Sequence, residues 1–221
     1  MRIEGCEFPD DRLYDADGFV WIRPESPSEI RLGITSILAA VGGRLTKAIA
    51  RPAGTQIEAG HSVGSIESGK YFGTVRTPVA AVVLEANPLL VARPRVVSEV
   101  PYSDGWFARL RPTAWDRDRA HVASVRAAEN VLRMQIATLK VRCFAAFPDY
   151  ELFEIGTECA AVLAKLEDLL RTIEVGEVVH IVSDDRMAPI EMANWSDRTG
   201  HPVVDSREEG NLFHFLIRRA R

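Results

Sequence analysis

The chain has 221 residues, 47% of them hydrophobic and 26% charged, with a formal net charge of −4. That composition fits a globular chain of one or two domains and excludes wholesale disorder. No apolar run reaches the ~18 residues of a membrane-crossing helix, and the acidic balance argues against bulk nucleic-acid binding.

The start, Met1–Glu7, has no apolar h-region, so a cytoplasmic location is expected rather than secretion. Cysteines stand at 6, 143 and 159. An odd, widely spaced set does not read as a disulfide framework and suits a reducing compartment. Cys6 reads as a terminal thiol and Cys143 as a core residue. Among 27 basic residues only Lys47, Lys70, Lys140 and Lys165 are lysines. Chemistry that needs an amine therefore has four side-chain candidates.

Residues 1–112 read as short strands. Phe19–Ile22, Ile30–Ile34, Ser62–Ile66, Val79–Leu84 and Trp106–Leu110 are rich in β-branched and aromatic residues, and glycine and proline separate them. That spacing predicts a small all-β sandwich or barrel. A short helix is expected over Ser36–Val41, stopped by Gly42-Gly43. Ser65–Gly73 has strand character on both sides of a tight turn at Glu67–Lys70, where Gly69 is free to take a positive φ. Lys70 then stands exposed at a hairpin tip, the position a swinging prosthetic arm needs.

Residues 113–148 read as a linking helix of roughly 30 residues, opened by a Thr113/Asp116 capping pair and ended before Pro148. Val122, Val125, Leu132, Ile136, Leu139 and Cys143 form one apolar stripe, interrupted by Glu129. It is suited to packing on the β domain, bridging two domains or pairing with a second copy. From residue 149 the order is strand, helix, strand, helix, strand, strand: Tyr150–Ile155, Cys159–Thr172, Val178–Ser183, a helix from about Pro189 to Gly200, Pro202–Glu208 and Leu212–Arg218. This predicts a two-layer α+β domain. The five histidines show no metal-ligand spacing, and no phosphate loop, dinucleotide fingerprint or nucleophile elbow is present. No catalytic or metal site is expected.

The first half resembles the glycine cleavage system H proteins. Ile66-Glu67-Ser68-Gly69-Lys70 with Thr77-Pro78-Val79 resembles their lipoyl-lysine hairpin, Leu32-Gly33-Ile34-Thr35 the strand leading into their short helix, and Pro101–Trp106 their closing motif. The resemblance covers residues 14–112. It implies an all-β hammerhead (barrel-sandwich hybrid) fold, with lipoate as covalent cofactor on Lys70 and Glu67, Ser68 and Gly69 presenting it. Two departures bear on cargo. Phe19 and Val20 stand where the family has a His-Glu pair, and Ala80-Ala81 replaces a family glycine.

The last 72 residues resemble the TusA-like sulfur-carrier family through Gly156, Cys159, Gly176-Glu177, Asp184-Asp185, Gly200-His201 and Phe215–Arg218. Cys159 is the candidate sulfur carrier, at a helix N-terminus that would lower a thiol pKa, with Glu158 next to it acting in the opposite direction. The family's Cys-Pro-x-Pro is here Cys159-Ala160-Ala161-Val162. Together the two resemblances imply a multidomain, non-enzymatic lipoyl carrier, read first as a sulfur-metabolism carrier. The alternatives are an H protein bearing an aminomethyl group and an unmodified scaffold. The implied partners are lipoate-attaching enzymes, a dihydrolipoyl dehydrogenase-type oxidoreductase, and glycine cleavage or sulfur-oxidation enzymes, with neither nucleic acid nor membrane.

Overall fold

Short strands with alternating burial build the first half of the molecule. The computed structural model describes residues 1–15, 17 and 19–221 and divides into two units, Met1–Cys143 and Phe144–Arg221. In the first unit the order begins β1 (Arg2–Ile3), β2 (Cys6–Glu7), β3 (Leu13–Asp15), β4 (Val20–Ser26), β5 (Glu29–Ile34) and α1 (Ser36–Gly42). It continues with β6 (Leu45–Ala50), β7 (Gln56–Ile57), β8 (Ser62–Ser68), β9 (Phe72–Arg76) and β10 (Ala81–Ala86). The unit ends with α2 (Leu89–Ala92), α3 (Val96–Glu99), β11 (Ala108–Pro112), α4 (Trp115–Asp118), β12 (Ala123–Ser124) and α5 (Val125–Leu139).

A seven-stranded sheet in the order β12-β3-β4-β5-β11-β10-β7 shares one core with a three-stranded sheet in the order β6-β8-β9. Val20, Ile22, Leu32, Ile34 and Leu110 come from the larger sheet; Ala48, Val63, Ile66 and Val75 come from the smaller. Burial of these aliphatic side chains, each worth about 1.5–3 kcal/mol, is the main term fixing the two sheets to each other. Gly33 on β5 leaves room for the Trp21 indole, which is buried, donates to the Pro101 carbonyl at 3.1 Å and carries the Arg12 guanidinium 4.5 Å from its ring centre.

The expected 30-residue helix is not formed. The chain makes the single turn of α4, a 3-10 turn at Arg119–His121 and the short strand β12 before α5 begins, and α5 has 15 residues. The cause is Asp118. Its carboxylate is buried, accepts the Ala80 amide at 2.7 Å and pairs with Arg117, so it pins the chain to the start of β10 instead of continuing a helix. The Arg117 hydrogen bond holds this carboxyl below its usual range. Thr113 caps nothing in α4, whose N-cap is Ala114 with no side-chain bond. Ser124 caps α5 instead, accepting from the Ala127 amide, and Lys140 in the left-handed conformation stops it. Val125, Ala128, Leu132 and Ile136 are its buried face, packed within the first unit.

The cysteine reading is also corrected. Cys6 and Cys143 form a disulfide, their Cα atoms 4.8 Å apart across a sequence separation of 137. Cys6 is fully buried beside Ile3, Phe8, Tyr14 and Ile136. Pairing over that separation depends on the β1–β2 hairpin folding against α5, which spacing in the sequence does not reveal.

The second unit contains β13 (Tyr150–Glu154), α6 (Cys159–Thr172), β14 (Val178–Ser183), α7 (Ala188–Thr199), β15 (Val203–Glu209) and β16 (Leu212–Arg218). Its sheet runs β13-β14-β16-β15, with only β13–β14 parallel. Val162, Leu166 and Leu170 of α6 and Met192 and Trp195 of α7 pack on Val179, Ile181, Phe215 and Ile217. That is one helical layer on one sheet, as the periodicity indicates.

Candidate functional site

The hairpin between β8 and β9 is positioned by its own core residue. Ile66, buried in the β8 strand, pairs with Gly73, and the neighbouring pair is Glu67 with Phe72. On its other side β8 pairs with β6, placing Lys47 opposite Glu67 and Leu45 opposite Ser68. The tip projects from a three-stranded sheet, not from an isolated hairpin, which would be marginal in water.

Ser68 builds the turn. Its amide donates to the Tyr71 carbonyl at 2.8 Å, and its hydroxyl accepts from the amides of Lys70 at 3.2 Å and Tyr71 at 3.1 Å. With these bonds the chain reverses without a positive φ at Gly69, so the conformational role expected of that glycine is not used. Gly69 instead leaves open space: a Cβ built on it meets nothing within 4 Å. Tyr71 anchors the far side, half-buried against the core with its ring over Gly73. Burial raises its phenol pKa. Glu67, Gly69 and Lys70 are exposed, and Phe72 is 73% exposed beside them.

Gly43 and Ser98, to which the sequence assigns no part in the site, complete it. The Lys70 side chain lies across Gly43, where a Cβ would come 2.5 Å from its Cε and 3.3 Å from its Nζ. Gly43 caps α1 with φ 65° and ψ −153°, a conformation essentially reserved for glycine, and the buried Ser98 hydroxyl donates to its carbonyl at 2.9 Å. Gly42-Gly43 reads in sequence only as a helix stop. That the second glycine is also the floor under a lysine 27 positions later is tertiary information. Phe19 and Val20 stand at the start of β4 in the same unit. Val20 is fully buried and Phe19 packs against two core clusters with φ 54°. Neither side chain offers a hydrogen bond.

Cys159 opens α6, as the sequence places it, but the thiol is buried. Burial, then a hydrogen bond to Glu191 and the nearby charge of Asp185, push it up to about 12. The helix-terminus lowering expected from sequence is overturned. Asp185 accepts the Cys159 amide at 3.0 Å and Asp184 accepts the Gly156 amide at 2.7 Å, so two carboxylates are bound to backbone N–H groups at the start of α6. No group of metal-ligating side chains occurs among the described residues.

Comparison with known proteins follows the same division. The family model described as Glycine cleavage H-protein matches residues 12–135, and the model described as Sulfurtransferase TusA matches residues 154–219. Glycine cleavage system H protein 5 of Aquifex aeolicus is 31% identical over 146 residues, covering 64% of this chain and 98% of that protein. Glycine cleavage system H protein 2 of the same organism is 32% identical over 142 residues, covering 64% and 88%. A crystal structure of a glycine cleavage system H protein from Mycobacterium marinum is 32% identical, with a TM-score of 0.45, covering 48% of this chain and 87% of that one.

Proposed function

The chain belongs to the glycine cleavage H-protein family, and on that premise we propose that it is a lipoyl carrier, not itself an enzyme, with the lipoyl group in amide linkage to Nζ of Lys70. The observation that carries this reading is the exposed lysine on a turn held by Ser68. The site fits an acylated lysine. Gly43 provides a trough without a side chain in which the aliphatic stem rests, and Gly69 leaves the approach to the tip open. When bound, lipoate supplies a dithiol–disulfide couple at the end of this stem. The chain's own residues do the positioning: Ser68 fixes the backbone on either side of Lys70, Tyr71 ties the tip to the core, and Glu67 and Phe72 offer a charged and an apolar contact to partners. The proposed partners are a lipoate-attaching enzyme, a dihydrolipoyl dehydrogenase-type oxidoreductase, and the enzymes that load and unload the arm.

For cargo we favour sulfur over an aminomethyl group. A sulfurtransferase-like unit occupies the same chain, and apolar Phe19 and Val20 stand where the resemblance to H proteins places a His-Glu pair suited to a bound amine. The aminomethyl reading draws its support from the names of the relatives. The sulfur is placed on the arm and not on Cys159, whose thiol is buried and held protonated. With its pKa pushed so far up, the thiol supplies far less of the reactive thiolate near neutral pH than an ordinary cysteine does.

Incubating the lipoylated, reduced protein with a persulfide donor tests this reading, with peptide masses read afterwards. The expected result is added sulfur on the Lys70 peptide and none on the Cys159 peptide. Sulfur on Cys159 alone would place the cargo in the second unit. No sulfur on either, with glycine decarboxylation supported alongside the other three components of that system, would replace sulfur by the aminomethyl group.

A further inference from the structure

The outer face of the β6-β8-β9 sheet lies open beside the arm. Strand alternation sends Ala48, Ile66 and Val75 into the core, where they are buried. The residues between them form cross-strand rows on the opposite face. Lys47, Glu67 and Phe72 make the row next to the hairpin tip, and Ile49, Ser65 and Thr74 the row behind it. Beyond these, Arg76 pairs with Ser62, and Arg51 donates through Nε to the Ser62 carbonyl at 2.7 Å. The face thus runs from the Lys70 turn to two arginines flanking Ser62.

Its charge is opposite in sign to that of the chain. Lys47, Arg51 and Arg76 are exposed and make no ion pair among the described residues. Against them stands the single carboxylate of Glu67, in a chain of net charge −4. The face is also partly apolar, with Phe72 73% and Ile49 46% exposed. Cations around exposed apolar side chains suit an acidic partner surface, whose charges steer the encounter while the apolar groups hold it.

We propose that this face is the docking surface for the enzyme that acylates Lys70, and that the enzyme meets it with an acidic surface. The proposal rests on the lipoyl-carrier reading and names what recognises that site. Acyl transfer selects the attaching enzyme among the visitors of the arm. Nζ loses a proton and attacks the acyl carbon of an activated lipoyl donor. The C–N bond forms, the bond to the leaving group breaks with its electron pair, and a second proton leaves the nitrogen. A cation becomes a neutral amide, so attraction to an acidic enzyme is greatest before transfer and falls when the product must leave. The enzymes that load or reoxidise the arm meet the chain after that charge has gone.

Steady-state attachment of lipoate to the full chain by a lipoate–protein ligase, with ATP and lipoic acid at low and high sodium chloride, tests this. Arg51→Gln with Arg76→Gln is expected to raise KM for the chain about tenfold at low salt and to leave kcat unchanged. Lys47→Gln, at a position that makes no ion pair, should shift KM in the same direction, and Phe72→Ala should raise it about tenfold. High salt should raise the KM of the parent and barely change that of the double arginine variant, because screening acts only on charges that are present. Arg126→Gln with Lys140→Gln, on α5 and its C-cap, removes the same amount of charge and should match the parent. Equal KM values for the parent, Phe72→Ala and the double arginine variant, or a control that shifts as far as they do, would overturn the docking surface and leave the carrier reading standing. A parent that the ligase does not modify overturns the carrier reading and this surface with it. Normal attachment to the variants, with slowed reoxidation of their reduced lipoyl groups by a dihydrolipoyl dehydrogenase, gives the face to a later partner and overturns the assignment to the attaching enzyme.

Discussion

Reducing the Cys6–Cys143 bond is expected to lower the stability of the first unit by about 3–5 kcal/mol. The linkage closes a loop with a sequence separation of 137, and chain-entropy estimates for loops above 100 residues approach about 5 kcal/mol. Without it the hairpin depends on its packing and a few hydrogen bonds. β1 and β2 have two residues each, too short to hold a hairpin alone. Their other ties include the burial of Ile3 and Phe8, the Met1 amino group on the Phe8 carbonyl at 2.9 Å, the Ser36 hydroxyl on the Glu7 carbonyl at 3.0 Å and an exposed ion pair between Arg133 and Glu4. Exposed pairs contribute under about 1 kcal/mol. Urea unfolding with and without reductant measures the effect, and Cys6→Ala with Cys143→Ala is the control. The parent midpoint should fall on reduction to that of the double variant, which itself ignores reductant. Equal midpoints for oxidised and reduced parent would show that the β1–β2 hairpin is held by its packing alone.

The second large effect is expected at Gly64. A Cβ there would collide with the Ile49 carbonyl oxygen and lie 2.5 Å from Phe107 Cε1 and 2.9 Å from Ala50 Cα. Two of those three atoms are backbone of β6, paired with β8 at this point, and cannot rotate away. Overpacking of this kind costs about 1–3 kcal/mol and sometimes more; with backbone as the obstacle, Gly64→Ala should cost about 3 kcal/mol. It should also disturb the β6–β8 register that sets the hairpin tip, so attachment at Lys70 should slow. Gly69→Ala is the contrast. Its position is open and its φ is ordinary, so the change should be neutral or stabilising by up to about 1 kcal/mol. Denaturant midpoints for the two variants decide it. A Gly64→Ala protein as stable as the parent would mean that β6 and β8 are less closely paired than described, and a strongly destabilised Gly69→Ala would restore the positive-φ role.

What the sequence made legible was local. Period-two alternation placed β16 at Leu212–Arg218, the three- and four-residue apolar steps placed α6 at Cys159–Thr172, and the continuous apolar run placed β14 at Val178–Ser183. Lys70 at a hairpin tip was legible for the same reason, because turns declare themselves through neighbouring residues. The misreadings involve partners remote in the chain. Asp118 breaks a helix because it meets Ala80, 38 positions away. Cys6 finds Cys143 because the fold brings them together. Gly43 matters because Lys70 lies on it. The Cys159 thiol is pushed up because it is buried and because α7 brings Glu191 to it, although its position at a helix start alone suggests the opposite. Apolar periodicity reports which face a residue is on, but not which polar group awaits it there.

The central claim is that Lys70 bears the arm. Co-expression with a lipoate-attaching enzyme, followed by intact mass and peptide mapping, tests it most directly. The account predicts a mass gain of one lipoyl group, confined to the peptide containing Lys70 and absent in Lys70→Arg. An unmodified chain under conditions that fully modify a control H protein, or a lipoyl group on Lys47, Lys140 or Lys165, would contradict it.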